Sequence, residues 1–369
     1  MLFWRCLIFI NLLILRIPTT LYAGTLVYSR KHIKNSMFGL SPLLKERTEI
    51  CIQRGLQYLF AEQKTDGSWD NHPGITALAA SAFLRSPIRN ADVKWKTSVD
   101  KALDYIDDLS KPDGGIYTDD LPSLNTAVCI LALSQSNNSK FKSIIEKAQH
   151  FLVRLQCDES AGYTRDDNLY GGIRYGSDRT PDLDNLDYTL QALKSSGFSV
   201  NHNIWERAVC FIQRCQNRKM SNDQSWSAND GGFIYYPKYS MAGYTRSYGS
   251  MTSAGISCFY HANVKKDDPR VVDAFRWINE HYTLEENPHV EKKGLFHYYY
   301  TLAKALDSYG ELIIKDSLGT EYNWKEELAY KLTELQNNEG FWVNECQEWW
   351  EGNRTLVTSY AILTLAYLY

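Results

Sequence analysis

The sequence predicts an all-α protein in which six helical hairpins close into a ring. A short unit recurs six times along the chain, in which a helix end and a glycine turn lead through an aromatic residue into a new helix. Between these turns, helices with a one-sided apolar stripe alternate with helices that are apolar or small nearly all round. The first kind has one face on the core and one in water, and the second kind is buried on most sides.

The glycine turns mark the repeats. The clearest copies are Gln63-Lys64-Thr65-Asp66-Gly67-Ser68-Trp69 and Gln336-Asn337-Asn338-Glu339-Gly340-Phe341-Trp342, and weaker copies surround Gly114, Gly171, Gly231 and Gly294. Glycine ends a helix in the left-handed conformation without a steric penalty. A single helical hairpin cannot bury its apolar face alone, so the repeats must stack. A closed ring leaves no exposed end face.

The apolar pattern assigns the helices to two layers. We expect a single domain over residues 45–369. The one-sided stripes predict outer helices over 95–109, 141–155, 205–215 and 324–335, and the apolar runs predict inner helices over 75–84, 126–133, 186–193, 251–261 and 357–369.

Composition excludes several classes of function. The net charge of -3 and the absence of a long basic run argue against nucleic acid as a partner. No paired CxxC or HxxH spacing is present, so we expect no metal site, and nothing in the sequence indicates a cofactor. Seven of the eight cysteines follow residue 23, and an odd number is not a disulfide framework, although a Cys157–Cys215 bridge stays open.

The first 23 residues have a different character from the rest. Arg5 precedes an apolar stretch over residues 7–15, and Ala23 offers a small residue for cleavage. This pattern predicts a signal peptide and an exported protein, with an uncleaved N-terminal membrane anchor as the alternative. We expect no other membrane-embedded segment.

The two clearest turn units resemble the QW-type repeats of squalene cyclases and protein prenyltransferase β-subunits, and the whole chain is most similar to exported bacterial proteins of that kind. The resemblance implies an (α/α)6 toroid, the terpenoid cyclase and protein prenyltransferase-like barrel, with a central cavity for an isoprenoid or another apolar molecule. Zinc-dependent prenyl transfer is not expected. His297 stands where those enzymes have their histidine ligand, but Arg246, Ser247 and Tyr248 occupy the region of the other ligands.

The resemblance to cyclases instead indicates acid catalysis. Asp182, Asp184 and Asn185 match the Asp-x-Asp-Asp motif, with an asparagine in the last position, and Asp184 takes the place of the proton donor. Protonation of an alkene requires a strong acid in a dry pocket, and we expect burial and the neighbouring carboxylate to raise the pKa of Asp184. Aromatic faces stabilise carbocations, and the candidates are Tyr248, Tyr298, Tyr299, Trp349 and Trp350.

Two other interpretations remain open at the level of sequence. Asp182 and Asp184 precede or begin a helix, where acidic residues serve as caps in any protein. The ring could then be a non-catalytic module outside the cytoplasm that holds a lipid, a peptide or a partner protein. A carbohydrate-active toroid enzyme is the third interpretation, with its site built from Asp182, Asp184, Tyr244, Arg246 and His297.

Overall fold

The structure is a computed structural model that describes residues 39–88, 93–176 and 179–369. These residues form twelve α-helices, three short 3-10 helices (Ser139–Phe141, Glu159–Ala161 and Glu348–Trp350) and one antiparallel pair of strands, Ile313–Lys315 and Glu321–Asn323. The predicted signal peptide or anchor over residues 1–23 lies outside the described residues. Within them, no helix is both long and apolar enough to span a bilayer.

The helices alternate between two layers, as the sequence predicts. Six form the outer layer, namely α1 (Pro42–Glu62), α3 (Val93–Asp108), α5 (Lys142–Arg154), α7 (Ile204–Cys215), α9 (Pro269–Glu280) and α11 (Trp324–Leu335). The other six form the inner layer, namely α2 (Pro73–Arg85), α4 (Pro122–Gln135), α6 (Leu183–Ser195), α8 (Gly249–His261), α10 (Leu295–Tyr309) and α12 (Arg354–Ala366). Each inner helix packs against the next, and α12 packs against α2, so the predicted all-α ring is confirmed.

The glycine turns join neighbouring hairpins. Five of these glycines have a φ between +86° and +96°, and a Cβ atom on any of them would strike a backbone carbonyl on the following outer helix. The five are Gly67, Gly114, Gly171, Gly231 and Gly340. The last of them meets Arg54 on α1, so the same contact that spaces the hairpins also closes the ring.

A glutamine reinforces this junction in four repeats. Gln63, Gln156, Gln216 and Gln336 each donate from Nε2 to the carbonyl of their own turn glycine and to a carbonyl of the next outer helix or its N-terminal residues. In the two clearest copies, the tryptophan Nε1 donates back to the preceding outer helix, from Trp69 to Leu59 and from Trp342 to Leu332. The repeated motif is therefore a set of hydrogen bonds within each hairpin and to the next one.

The cysteines of the described residues are free, including Cys157 and Cys215, so the bridge left open by the sequence is not formed. Both residues are completely buried. Two insertions lengthen the turns at these cysteines, over residues 157–169 and 217–229. They are adjacent, because Arg214 donates to the carbonyls of Arg165 and Asp167 in the first and pairs with Asp223 in the second.

Candidate functional site

A cavity of about 320 Å³ opens at the N-terminal ends of the inner helices. All six inner helices contribute, because each begins at this side of the ring. Its wall is mainly aliphatic and aromatic, with a few polar groups among them. The helical contributions are Gly74, Ile75, Leu78, Leu124, Asn125, Val128, Asp184, Tyr188, Ser250, Met251, His297, Leu356 and Tyr360, and the preceding loops add His72, Leu121, Tyr175, Arg179, Tyr235, Met241, Tyr248, Trp349 and Trp350.

A carboxylate–imidazole pair lies on this wall. Asp184 stands in the first turn of α6 and His297 in the first turn of α10, and His297 Nε2 lies 3.0 Å from Asp184 Oδ1. The side chains of Asp184 and His297 are only 21% and 12% exposed, respectively. Two inner helices that are not neighbours in the ring are thus connected across its interior.

Each group of the pair favours the ionised form of the other. Burial disfavours the ionised form of Asp184, but the charge of His297 and its hydrogen bond outweigh burial, so the pKa of Asp184 lies below its ordinary value. The expectation of a raised pKa for Asp184 is therefore wrong. Burial likewise disfavours the imidazolium, yet the charge of Asp184, its hydrogen bond and the charge of Glu351 raise the pKa of His297.

Glu351 fixes the histidine and was not identified from the sequence. Its carboxylate is completely buried and accepts hydrogen bonds from the backbone N–H groups of Phe296 and His297, at 3.2 and 2.7 Å. Asn344 Nδ2 donates to the same carboxylate at 2.6 Å. Glu351 thus caps α10 from another segment of the chain. The only signal for it in the sequence is an acidic residue directly after Trp349 and Trp350.

Of the two motif aspartates, Asp182 rather than Asp184 has the raised pKa. It caps α6 by accepting from the backbone N–H of Asn185 at 2.9 Å, and the Tyr175 hydroxyl donates to it at 2.7 Å. Burial, followed by the charge of Asp184, raises the pKa of Asp182 to about 7, although these hydrogen bonds and one from Tyr235 lower it. The Asp182 carboxyl group does not line the cavity, whereas Tyr175 and Tyr235 do.

Three of the aromatic residues nominated from the sequence line the cavity, namely Tyr248, Trp349 and Trp350. Both tryptophans adopt a left-handed backbone, with φ values of 56° and 66°, which is an uncommon and strained conformation for bulky residues. The ring of Trp349 occupies the space above Gly294, where a Cβ atom would lie 2.2 Å from it. The glycine of the fifth turn therefore makes room for the cavity wall, unlike the five that join hairpins.

Five other nominated residues lie away from the cavity. Tyr298 and Tyr299 face the loop after α9, where their hydroxyls donate to the carbonyls of Thr283 and Leu284. Asn185 is buried beneath the wall, where it donates to the Ile173 carbonyl and accepts from Ser123.

The remaining two are at the surface. Tyr244 is 97% exposed in the loop before α8, and Arg246 is also exposed there. The Tyr, His and Arg set that would suit a carbohydrate-active site is therefore not assembled around the aspartates. The same loop contributes Met241 to the cavity instead.

Comparisons with known proteins agree with the architecture. No family model matches the sequence, and no curated protein is significantly similar to it. Among solved structures, the chain is similar to the type II terpene cyclase MstE from Scytonema, with 12% identity, a TM-score of 0.55, and coverage of 87% of this chain and 98% of MstE. It has the fold of a terpene cyclase-like α/α toroid.

Two further structures show that this likeness concerns the fold and not the activity. A variant of MstE in complex with its substrate, geranylgeranyl dihydroxybenzoate, matches with 10% identity and a TM-score of 0.52, covering 88% of this chain and 97% of the other. An alpha-amylase from Clostridium perfringens matches with 12% identity and a TM-score of 0.53, covering 86% and 97%. Since enzymes of different chemistry share the fold, the likeness shows architecture alone, and function must be argued from the site.

The groups at the cavity wall do not form a recognisable metal centre. Within the described part of the chain, no group of three or more histidine, cysteine, aspartate or glutamate side chains is arranged to hold a metal ion. The titratable groups on the cavity wall are the Asp184 carboxyl, the imidazoles of His72 and His297, several phenols and the Arg179 guanidinium.

We expect Asp182→Asn to remove a pH-dependent loss of stability. The pKa of Asp182 is about 7 in the folded chain and about 3.9 in an unfolded one, so the native state binds more protons between these values. Its contribution to stability is present below pH 4 and is lost as pH rises through 7. Asparagine caps helices as well as aspartate does. Relative to the wild type, the variant should therefore gain on the order of 2–3 kcal/mol between pH 4.5 and pH 8.

Urea denaturation at both pH values measures this difference. Asp119→Asn, at an exposed position on the same side of the ring, is the matched control. Equal stability differences at both pH values would show that Asp182 does not hold its proton in the folded protein.

Proposed function

We propose that this chain binds an isoprenoid or another largely apolar molecule in its central cavity and protonates it through Asp184 with the help of His297. The observation that carries the proposal is the Asp184–His297 pair on the wall of a mainly apolar cavity. An apolar cavity of a few hundred Å³ with a few convergent polar groups and perturbed pKa values is the usual form of a small-molecule site.

The cavity wall determines the class of ligand. Leu78, Val128, Met251 and Leu356 offer aliphatic contacts from four inner helices, and Trp349 adds an aromatic face. Such a wall gains free energy by removing hydrocarbon from water. The related fold of MstE holds a substrate with a geranylgeranyl chain, which supports an isoprenoid as the first ligand to test.

The proton for the reaction is the one shared by the pair. With water present, it resides on His297 and leaves Asp184 ionised. An apolar ligand displaces water and disfavours separated charges, which shifts the proton from Nε2 toward Asp184. Transfer of this proton to the ligand leaves the Asp184 carboxylate beside a neutral imidazole, and His297 Nε2 then takes up a new proton from solvent and stabilises that carboxylate.

Proton transfer to a ligand double bond would place a carbocation against this wall. The Asp184 carboxylate and the π faces of Trp349 and Tyr248 stabilise positive charge there. Attack by a second double bond of the ligand would form a ring, and loss of a proton would complete an isomerisation. The products have the same composition as the starting material, and the pair regains its proton from solvent.

Incubation with geranylgeraniol in D2O tests this proposal. We expect an isomeric product that carries one additional deuterium on carbon, detected by gas chromatography and mass spectrometry. His297→Gln, which keeps a polar side chain without an ionisable group, should abolish deuterium incorporation. Recovery of unchanged geranylgeraniol, with no deuterium on carbon at any enzyme concentration, would contradict the catalytic part of the proposal.

A non-catalytic binding module is the second candidate. The hydrogen bond from the Asn185 N–H to Asp182 favours it, because a helix cap explains that aspartate without any reaction. Native mass spectrometry of the purified protein distinguishes the two candidates. A binder retains an unaltered apolar molecule after many hours, whereas an enzyme releases an altered one. We propose an exported location for either activity, on the basis of the N-terminal segment alone.

A further inference from the structure

A second ionic pair lies inside the ring beneath the first one. Lys304 Nζ and Asp187 Oδ2 are 2.5 Å apart, with side-chain exposures of 2% and 0%. Asp187 follows Asp184 by three residues on α6, and Lys304 follows His297 by seven residues on α10. Since these spacings return to the same face of a helix, the two pairs are arranged one below the other between the same two helices.

The lower pair is completely enclosed. Ser257 Oγ on α8 donates to Asp187 Oδ1 at 2.7 Å, and Gln191 Oε1 accepts from Lys304 at 3.4 Å. The ammonium group lies 5.2 Å from the ring centre of Tyr188 and 5.4 Å from that of Tyr300. Tyr188 also lines the cavity, so the Lys304 charge lies beside a residue of the cavity wall.

Stability does not account for this pair. Desolvation of two charges costs several kcal/mol, and apolar residues of similar volume stabilise a protein core as well or better. The pair does, however, place the positive charge of Lys304 next to the floor of the cavity.

We propose that Lys304, held by Asp187, is a positioning residue that increases the acid strength of the Asp184–His297 pair. The proposal rests on the acid chemistry proposed above. A cation at this place attracts the charge of Asp184 and repels that of His297, so it favours release of the proton by both. Other carboxyls and phenols also interact with the charges of the pair, and none of them supplies a positive charge; they are Asp182, Asp187, Glu351, Tyr175, Tyr188, Tyr235, Tyr248 and Tyr360. Arg179 also lines the cavity, and it pairs with Asp120.

Asp187 keeps the cation in place and limits its effect. Burial raises the pKa of Asp187, and Lys304 and Ser257 act against burial. If the lysine is removed, the carboxyl is therefore expected to take up a proton and become neutral. Lys304→Met alone and Asp187→Asn/Lys304→Met should for this reason give the same electrostatic result, although their stabilities differ.

The test is the titration of His297 in ligand-free protein, followed by NMR of labelled histidine. His297→Gln identifies the resonance among those of the eight histidines. We expect both variants to move the titration midpoint of His297 upward by about one pH unit, because a repelling charge is lost. Circular dichroism first checks that each variant is folded. If Lys304→Met does not fold, the His297 titration midpoint of the double variant tests the proposal.

An unchanged or lowered midpoint in a folded variant would overturn the proposal and leave Lys304 with a packing role. A cavity residue that carries no charge provides the control, since Leu78→Ala should leave the midpoint in place. The measurement needs no ligand or turnover. An upward shift without any deuterium incorporation would therefore uphold the positioning role and reject only the proposed reaction.

Discussion

Asp184→Asn is expected to lower turnover of geranylgeraniol by roughly 10³-fold or more, which is within the range for loss of a positioned acid. The amide has nearly the same shape as the carboxyl group but carries no proton that it could transfer to an alkene. Because Asp184 is a small part of a mainly apolar wall, the Kd of the ligand should change by less than about threefold. Single-turnover assays and a fluorescence titration of Trp349 and Trp350 would measure the two quantities.

The same variant has a spectroscopic consequence. Without the carboxylate, burial is left as the main influence on the imidazole, so the pKa of His297 should fall below its ordinary value. Asp166→Asn, in the exposed insertion before α6, is the control for both measurements. Turnover that persists in Asp184→Asn would assign Asp184 to the helix terminus and favour the binding module.

The ring could be predicted because its causes are local. A glycine turn, a glutamine and an aromatic residue within seven positions specify each of the clearest junctions, and one-sided apolar stripes specify the outer helices. The stripes did not delimit α1, where Thr48 and Gly55 interrupt the buried face, or α10, where Lys304 does so. Gly55 makes room for Trp342, and Lys304 pairs with Asp187, so both residues depend on partners distant in the sequence.

The site could be predicted only in part, for the same reason. Asp184 was identified through the resemblance to the Asp-x-Asp-Asp motif of cyclases, and His297 through the resemblance to the histidine ligand of prenyltransferases. Their contact joins residues 113 positions apart, and it reverses the direction of the pKa expected for Asp184. Local sequence likewise does not indicate which tyrosines turn inward, because Tyr298 and Tyr299 satisfy their hydroxyls outside the cavity.

Gly171→Ala is expected to destabilise the folded ring by roughly 3–5 kcal/mol, at the upper end for single substitutions. The φ of Gly171 is +88°, and an added Cβ atom would lie 1.8 Å from the carbonyl oxygen of Arg207 on α7. Neither atom is at the end of a flexible side chain, so relief requires the third and fourth hairpins to move apart. Such movement would also strain the hydrogen bonds from Gln156 to the Gly171 and Ile204 carbonyls.

Gly197→Ala separates this clash from backbone strain. Gly197 has a similar φ of +77°, but an added Cβ atom would meet nothing within 4 Å. Its substitution should cost only the left-handed conformation, about 1–2 kcal/mol. Urea denaturation of both variants isolates the contact between hairpins as the difference between them. Equal losses of stability in the two variants would mean that the hairpins move apart at this junction at little cost. Gly171 would then be required only for its left-handed backbone conformation.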